Sequence, residues 1–286
     1  MEGQLDALLP LDSRQFHIAI KRLADSLLFG TDKSPFLGGG IEYVQSRKYV
    51  PGDPIRSIDW RVTARTGRVH VKEYEAQKQM PAWILLDTSA SMATGSRTPT
   101  KYSTALHVAG GLAYACLDRV SPVGILGVGE RSLRVEPSLS RQQVLQWLLK
   151  LRHFRYDEQT SLARRAGELA ARLNSRTLVI AITDLHEDSA VQVLKLLGQR
   201  HDVIVLRMRD PAERQLRGAG IFRLREAESG ASFVTHGRAR WLDDESVARE
   251  LQRAGIDQFT IDTDAPFAQR LRHFCRSRGV FGKGAR

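Results

Sequence analysis

Three observations predict an open α/β fold, a mostly parallel sheet with helices on both faces. Short, wholly apolar runs at Trp83–Leu86, Leu178–Ile182 and Val203–Leu206 read as strands buried on both sides. Amphipathic segments of helical period separate these runs, the alternation that builds parallel sheets. The 286 residues, 42% hydrophobic and 26% charged, are enough for one large core with a smaller extension, and they exclude a disordered or fibrous chain.

Along the chain, Asp12 or Ser13 starts a helix in which Phe16, Ile20, Leu23 and Leu27 recur at helical spacing, ending at Gly30. Residues 31–80 hold Gly38–Gly40, the turn Pro51-Gly52-Asp53 and the alternation Arg68–Lys72, and read as loops and short strands. After the strand at Trp83 comes a helix over about 101–117, with Ala105, Val108, Ala109, Leu112 and Cys116 on one face. Val123–Val128 and Leu133–Val135 read as an antiparallel hairpin around Gly129-Glu130-Arg131. Helices over 141–151 and 162–173 precede the strand at Leu178, and a helix over 190–197 precedes the strand at Val203. Phe222–Val234 reads as a hairpin turning at Glu228-Ser229-Gly230; helix 245–254, strand 258–262 and helix 266–276 close the sequence. The expected organisation is an N-terminal helix and short-strand segment (1–80) packed on the core, an α/β domain (81–210) and a C-terminal α/β extension (211–286).

Lys and Arg total 43 against 32 acidic residues, a formal charge of +11, yet the surplus is spread, with no run of five like charges. Nucleic acid is therefore not the expected partner, since such surfaces usually show a basic stripe with interleaved aromatics. Cys116 and Cys275 lie among apolar residues and read as buried thiols of a reducing compartment. The N-terminus lacks a secretory pattern, and no apolar run approaches the roughly 20 residues needed to span a bilayer. The expectation is a cytoplasmic protein without a membrane span.

Directly after the first buried strand stands Asp87-Thr88-Ser89-Ala90-Ser91, one carboxylate and two hydroxyls in a turning loop. Ligands of open α/β sheets bind beyond the carboxyl ends of the strands, where this loop sits. Donors that are all oxygen suit a hard cation, above all Mg²⁺. The same residues also suit a polar turn in which Asp87 or Ser89 caps the next helix. Asp184, ending the strand from Leu178, and Thr160, in the loop before the helix at 162, are expected at the same rim.

Other chemistries find little support. Gly38–Gly40 and Gly124, Gly127 and Gly129 do not precede the Lys-Ser/Thr of a phosphate loop. His186, Glu187 and Asp188 lack the His-Glu-x-x-His spacing of a zinc hydrolase and read as surface residues starting a helix. No Gly-x-Ser-x-Gly elbow occurs. Arg47, Asp53, Arg56, Asp59, Arg61 and Arg65 read as an internal salt-bridge network, with phosphate or partner binding as the alternative.

Asp-x-Ser-x-Ser at a strand end, a Thr on a second loop and an Asp on a third resemble the metal-ion-dependent adhesion site of von Willebrand factor A domains. The resemblance implies a site of Asp87, Ser89, Ser91, Thr160 and Asp184 holding Mg²⁺, or Mn²⁺ in its place. Ser161 is the alternative hydroxyl, because the Gly that often precedes the Thr is missing. The stretch Arg47-Lys48-Tyr49-Val50-Pro51-Gly52-Asp53, Arg56-Ser57-Ile58-Asp59-Trp60, Ala64-Arg65 and Val71-Lys72-Glu73 is similar to the signature of the bacterial domain-of-unknown-function family 58. That family joins this segment to a von Willebrand A-like domain, and the tail from Asp210-Pro211 through Gly255-Ile256-Asp257 to Phe274 resembles its ending. The resemblance implies a non-enzymatic module whose metal accepts an Asp or Glu carboxylate from a partner protein, an adaptor or chaperone-like partner of a MoxR-type AAA+ ATPase. A metal-dependent hydrolase and a nucleic-acid-binding protein are the alternatives.

Overall fold

Apolar strands with no exposed residue can be satisfied only by pairing side by side under helices, and that arrangement forms the centre of the chain. The computed structural model describes residues 2–4, 13–28, 41–76, 80–96, 98–131, 133–187, 189–214, 221–225, 232–236, 244–278 and 280. In order, the elements are β1 (Glu2–Gln4), α1 (Ser13–Leu28), β2 (Ile41–Lys48), α2 (Trp60–Thr66), β3 (His70–Ala76), β4 (Ala82–Leu86), α3 (Ala90–Ala93), α4 (Lys101–Asp118), β5 (Val123–Gly127), β6 (Arg134–Ser138) and α5 (Arg141–Leu151). Then follow β7 (His153–Arg155), α6 (Leu162–Ala170), β8 (Leu178–Thr183), α7 (Ala190–Gly198), β9 (Asp202–Arg209), α8 (Pro211–Arg214), β10 (Ile221–Arg225), β11 (Ser232–His236), α9 (Asp244–Arg253), β12 (Asp257–Asp262) and α10 (Ala268–Ser277). Two compact units result, one of residues 1–31 with 80–286 and one of residues 32–79.

In the larger unit six strands form one sheet in the order β12-β9-β8-β4-β5-β6, parallel throughout except for β5 with β6. The open α/β architecture read from the sequence is therefore present, with the strands at Trp83, Leu178 and Val203 side by side. Every residue of β4, β5 and β8 is buried. Because successive side chains of a strand point to opposite faces, Ile84, Leu86, Ile180 and Ile182 join one core with α1, α4, α5 and α10. Trp83, Leu85, Val179 and Ala181 join the other with α6, α7 and α9.

The docking of α1 depends on a notch in α4. A Cβ on Gly110 would lie 2.6 Å from Cδ1 of Ile20, and one on Gly111 would lie 2.6 Å from Cδ2 of Leu23. Each mid-helix glycine costs about 1 kcal/mol relative to Ala. Burial of Ile20 and Leu23 against the notch offsets this, at about 1.5–3 kcal/mol per side chain.

Two regions differ from the sequence reading. In the smaller unit β2 and β3 pair antiparallel, with a register irregularity between Tyr43 and Gln45, but the connection between them includes the helix α2 where loops were expected. Asp59 caps α2 by accepting from the N–H groups of Arg61 and Val62, and Gly67 closes it through its N–H to the Thr63 carbonyl. The stretch Trp60–Thr66 has no apolar stripe, so periodicity misses it. The pairing of β1 with β7 joins two three-residue strands that lack any local signal. The β10–β11 hairpin forms as expected. Asp12, Gly30, Gly38–Gly40, Asp188 and the turn Glu228-Ser229-Gly230 lie outside the described residues. Cys116 and Cys275 are free and buried, and burial pushes both thiols up to about 12. Among the described residues no helix is long and apolar enough to cross a membrane.

Gly110→Val forces two methyl groups towards Ile20 and is expected to lower stability by about 1–3 kcal/mol, read as a lower urea midpoint at unchanged slope. In an Ile20→Ala background, where the space exists, part of that loss should disappear.

Candidate metal centre

The carboxyl edge of the sheet collects the polar loops. The Asp87 N–H donates to the Ile182 carbonyl at 2.9 Å, which extends the β4–β8 ladder one step and fixes Asp87 at the rim. Its Oδ1 accepts from the Ser89 N–H (3.1 Å) and its Oδ2 from the Thr183 hydroxyl (2.7 Å). Ser89 is fully buried at the start of α3 and makes no side-chain cap; its Oγ lies 3.0 Å from Oγ of Ser91. The local turn thus uses Asp87, while the two serine hydroxyls face each other instead of the helix backbone.

A second loop is fastened to the first by Glu158. The Ala90 N–H donates to the Glu158 carbonyl (2.7 Å), and the Thr88 hydroxyl donates to Glu158 Oε1 (2.8 Å). Arg131 adds its own N–H (3.1 Å) and its Nε (2.6 Å), so this fully buried carboxylate is satisfied from two sides. Gly129 must lack a side chain here, because a Cβ would fall 2.1 Å from Glu158 Oε1 and 2.3 Å from Oγ1 of Thr88. Thr160 bridges Gly129 through the backbone, and the Ser161 hydroxyl donates to the Gly129 carbonyl at 2.7 Å. Ser161 is therefore committed to the backbone.

The third loop follows β8. Asp184 is buried, and its Oδ2 receives both Lys101 Nζ (2.8 Å) and His186 Nδ1 (2.8 Å). Lys101 opens α4 with a side chain only 3% exposed, and it also pairs with Glu213 of α8. Asp184, His186 and Glu213 cluster as metal-ligating groups do, but the Lys101 ammonium is bound to both acids. Asp184 Oδ1 has no hydrogen bond among the described residues.

The charges are coupled. Burial and the neighbouring Asp184 charge raise the Asp87 carboxyl to about 7, against the opposing hydrogen bonds from Thr183 and Ser89. Burial also disfavours ionised Asp184, but the Lys101 ammonium and His186 override it and hold Asp184 below the usual carboxylate range. Lys101 and His186 are both raised, because the surrounding carboxylates outweigh burial.

Asp87, Ser89, Ser91 and Asp184 thus meet at one rim, with the loop carrying Thr160 bound to it. Sequence reasoning missed Lys101, Arg131, Glu158 and Glu213. A signal existed only for Lys101, a charge opening a helix that is otherwise almost wholly buried. His186, read as a surface residue, points at Asp184, and Glu187 accepts from the Ala163 N–H at the start of α6. The arginine network is also smaller than expected: Arg47 grips Asp53 with two bonds of 2.7 Å and Asp59 caps α2, but Arg56, Arg61 and Arg65 are exposed and make no ion pair among the described residues.

Residues 45–251 match the family described as protein of unknown function DUF58. The chain belongs to this family. The match takes in both units and every residue of the DUF58 rim described above. Uncharacterized proteins of Mycobacterium tuberculosis and Mycobacterium bovis are 26% identical over 279 residues, 93% of this chain and 88% of theirs. Among solved structures, the conserved hypothetical protein BatB from Bacteroides thetaiotaomicron aligns with 69% of this chain and 98% of its own, at 18% identity and a TM-score of 0.47. The Deinococcus radiodurans RO protein aligns with 70% of this chain and 34% of its own, at 15% identity and a TM-score of 0.35.

Lys101→Met leaves Asp184 and Glu213 without their shared ammonium, and chemical denaturation should show a loss of about 3–5 kcal/mol.

Proposed function

We propose that this DUF58 chain is a non-enzymatic, divalent-cation-dependent protein-interaction module with a von Willebrand A-like adhesion site. The 3.0 Å separation of the Ser89 and Ser91 hydroxyl oxygens carries the reading. Adjacent ligands of an octahedral cation with bonds of about 2.1 Å stand about 3.0 Å apart. This spacing, which the hydrogen bond between the two hydroxyls also gives, is compatible with one edge of a Mg²⁺ octahedron.

The donor set fits a hard cation, being hydroxyls and carboxylates without thiolate. Ser89 and Ser91 would hold Mg²⁺, or Mn²⁺ in its place, directly, with Thr160 as a third hydroxyl. Asp87 and Asp184 would contribute directly or through water, Asp184 through the Oδ1 that Lys101 and His186 leave open. Once bound, the cation supplies an open position for an Asp or Glu carboxylate of a partner protein. The Lys101 charge lowers the negative potential of the rim, so cation binding is weak until that carboxylate arrives. The family resemblance adds the partner class, a MoxR-type AAA+ ATPase, and with it an adaptor or chaperone-like role. Support for a non-enzymatic role comes from the described thiols, which are both buried and raised to about 12 and so are not poised as nucleophiles.

Calorimetric titration with Mg²⁺ and Mn²⁺ is expected to show binding that Asp87→Asn and Ser89→Ala remove while the far-ultraviolet spectrum stays unchanged. Pull-downs from the native organism should lose the same partner with EDTA and with either variant. Indistinguishable titrations, or a partner retained in all conditions, would refute the reading.

A further inference from the structure

We propose that the segment from Val50 to Arg65 is a second docking surface, independent of the cation, for an acidic protein segment that also carries apolar side chains. The first observation is unbalanced charge. Residues 47–72 contain seven Lys and Arg but two Asp. Both acids are consumed internally. Asp53 accepts both Arg47 nitrogens and the Val50 N–H, and these bonds hold it down at about 2. Asp59 accepts from the Ser46 hydroxyl (2.6 Å) and caps α2. Arg56, Arg61 and Arg65 are left exposed with no acid to meet them among the described residues.

The second observation is exposed apolar surface in the same stretch. Ile55 and Trp60 are 73% and 68% exposed, the highest among the large apolar residues described, and Val50 is 57% exposed. The backbone presenting them is folded tightly. Asp53 N–H donates to the Val50 carbonyl (3.0 Å), Ser57 N–H to Pro54 (2.9 Å), Ile58 N–H to Ile55 (3.1 Å) and Tyr49 N–H to Val69 (2.9 Å). Such preorganisation reduces the ordering cost of binding.

This arrangement works against the stability of α2. Arg61 and Arg65 are like charges four residues apart, and Arg61 lies in the first turn, where the helix dipole disfavours a cation; each effect costs a few tenths of a kcal/mol. A purely structural helix gains from an acid at position 61, while Arg65, in the last turn, is favoured by the dipole. A central Trp with flanking Arg is instead the composition of interface hot spots, and the unmatched guanidinium groups select a partner rich in Asp and Glu. Val50 and Ile55 favour a protein over a nucleic acid: aliphatic side chains cannot stack on bases as the aromatics of single-strand-binding surfaces do.

The test uses the full chain and fluorescence anisotropy with three labelled probes: a peptide of alternating Glu and Leu pairs, an all-Glu peptide of equal length, and an oligouridine of equal charge. The Glu/Leu peptide should bind more tightly than either control, with affinity falling as salt rises. Trp60→Ala should weaken it by at least about tenfold, and the double variant Arg56→Glu, Arg61→Glu should abolish it, with melting temperatures retained. Arg276→Glu, an exposed position on α10, should change affinity less than about twofold. EDTA and Asp87→Asn should have no effect, which separates this surface from the cation-dependent rim. Absence of peptide binding, tighter binding of the oligouridine, an unaffected Trp60→Ala, equal loss in Arg276→Glu, or loss with EDTA would each overturn the proposal.

Discussion

The burial of β4 and β8 on both faces is the constraint from which the larger unit follows. Strands with no exposed residue need neighbours on both edges and helices above and below, so the chain alternates strand and helix. Loops that leave such strands at their carboxyl ends emerge together and remain partly sealed from water. Polar groups placed there must satisfy one another, because an unpaired buried charge costs several kcal/mol. Lys101, Asp184, Glu213 and His186 form one such closed set, and Thr88, Glu158 and Arg131 form another. The rim is therefore polar in composition and largely neutralised in effect.

The parts legible in the sequence are those encoded by local pattern. The strands at Trp83, Leu178 and Val203 show as unbroken apolar runs because both their faces are covered, and the Asp87–Ser91 turn shows because its donors are adjacent in the chain. Pairings across long separations do not show. Thr88 and Glu158 are 70 residues apart and Lys101 and Asp184 are 83 apart, and nothing near either end marks the other. The helix α2 was legible in principle from Asp59 and Gly67, but seven residues without an apolar face give periodicity nothing to read.

Charge shows the same limit in another form. Counted over long stretches, the basic excess looks evenly spread, yet what a surface presents depends on which acids are already engaged. Asp53 and Asp59 appear in the sequence as counter-charges for all the nearby arginines, but in the folded unit Asp53 is taken up by Arg47 and a turn N–H, and Asp59 by a helix start. Three guanidinium groups consequently face solvent in a segment whose composition over residues 1–80 is nearly balanced.

The absence of a side chain at Gly129 has a mechanical consequence. Glu158 fills the space a Cβ would take, and its carboxylate touches the loop after β4 and the β5–β6 turn together. Neither can shift alone without stranding a buried anion, so the two loops and the backbone around Glu158 are geared as one rigid block. A shift of the loop after β4 must therefore carry the β5–β6 turn with it, and that hairpin stands at the margin of the sheet.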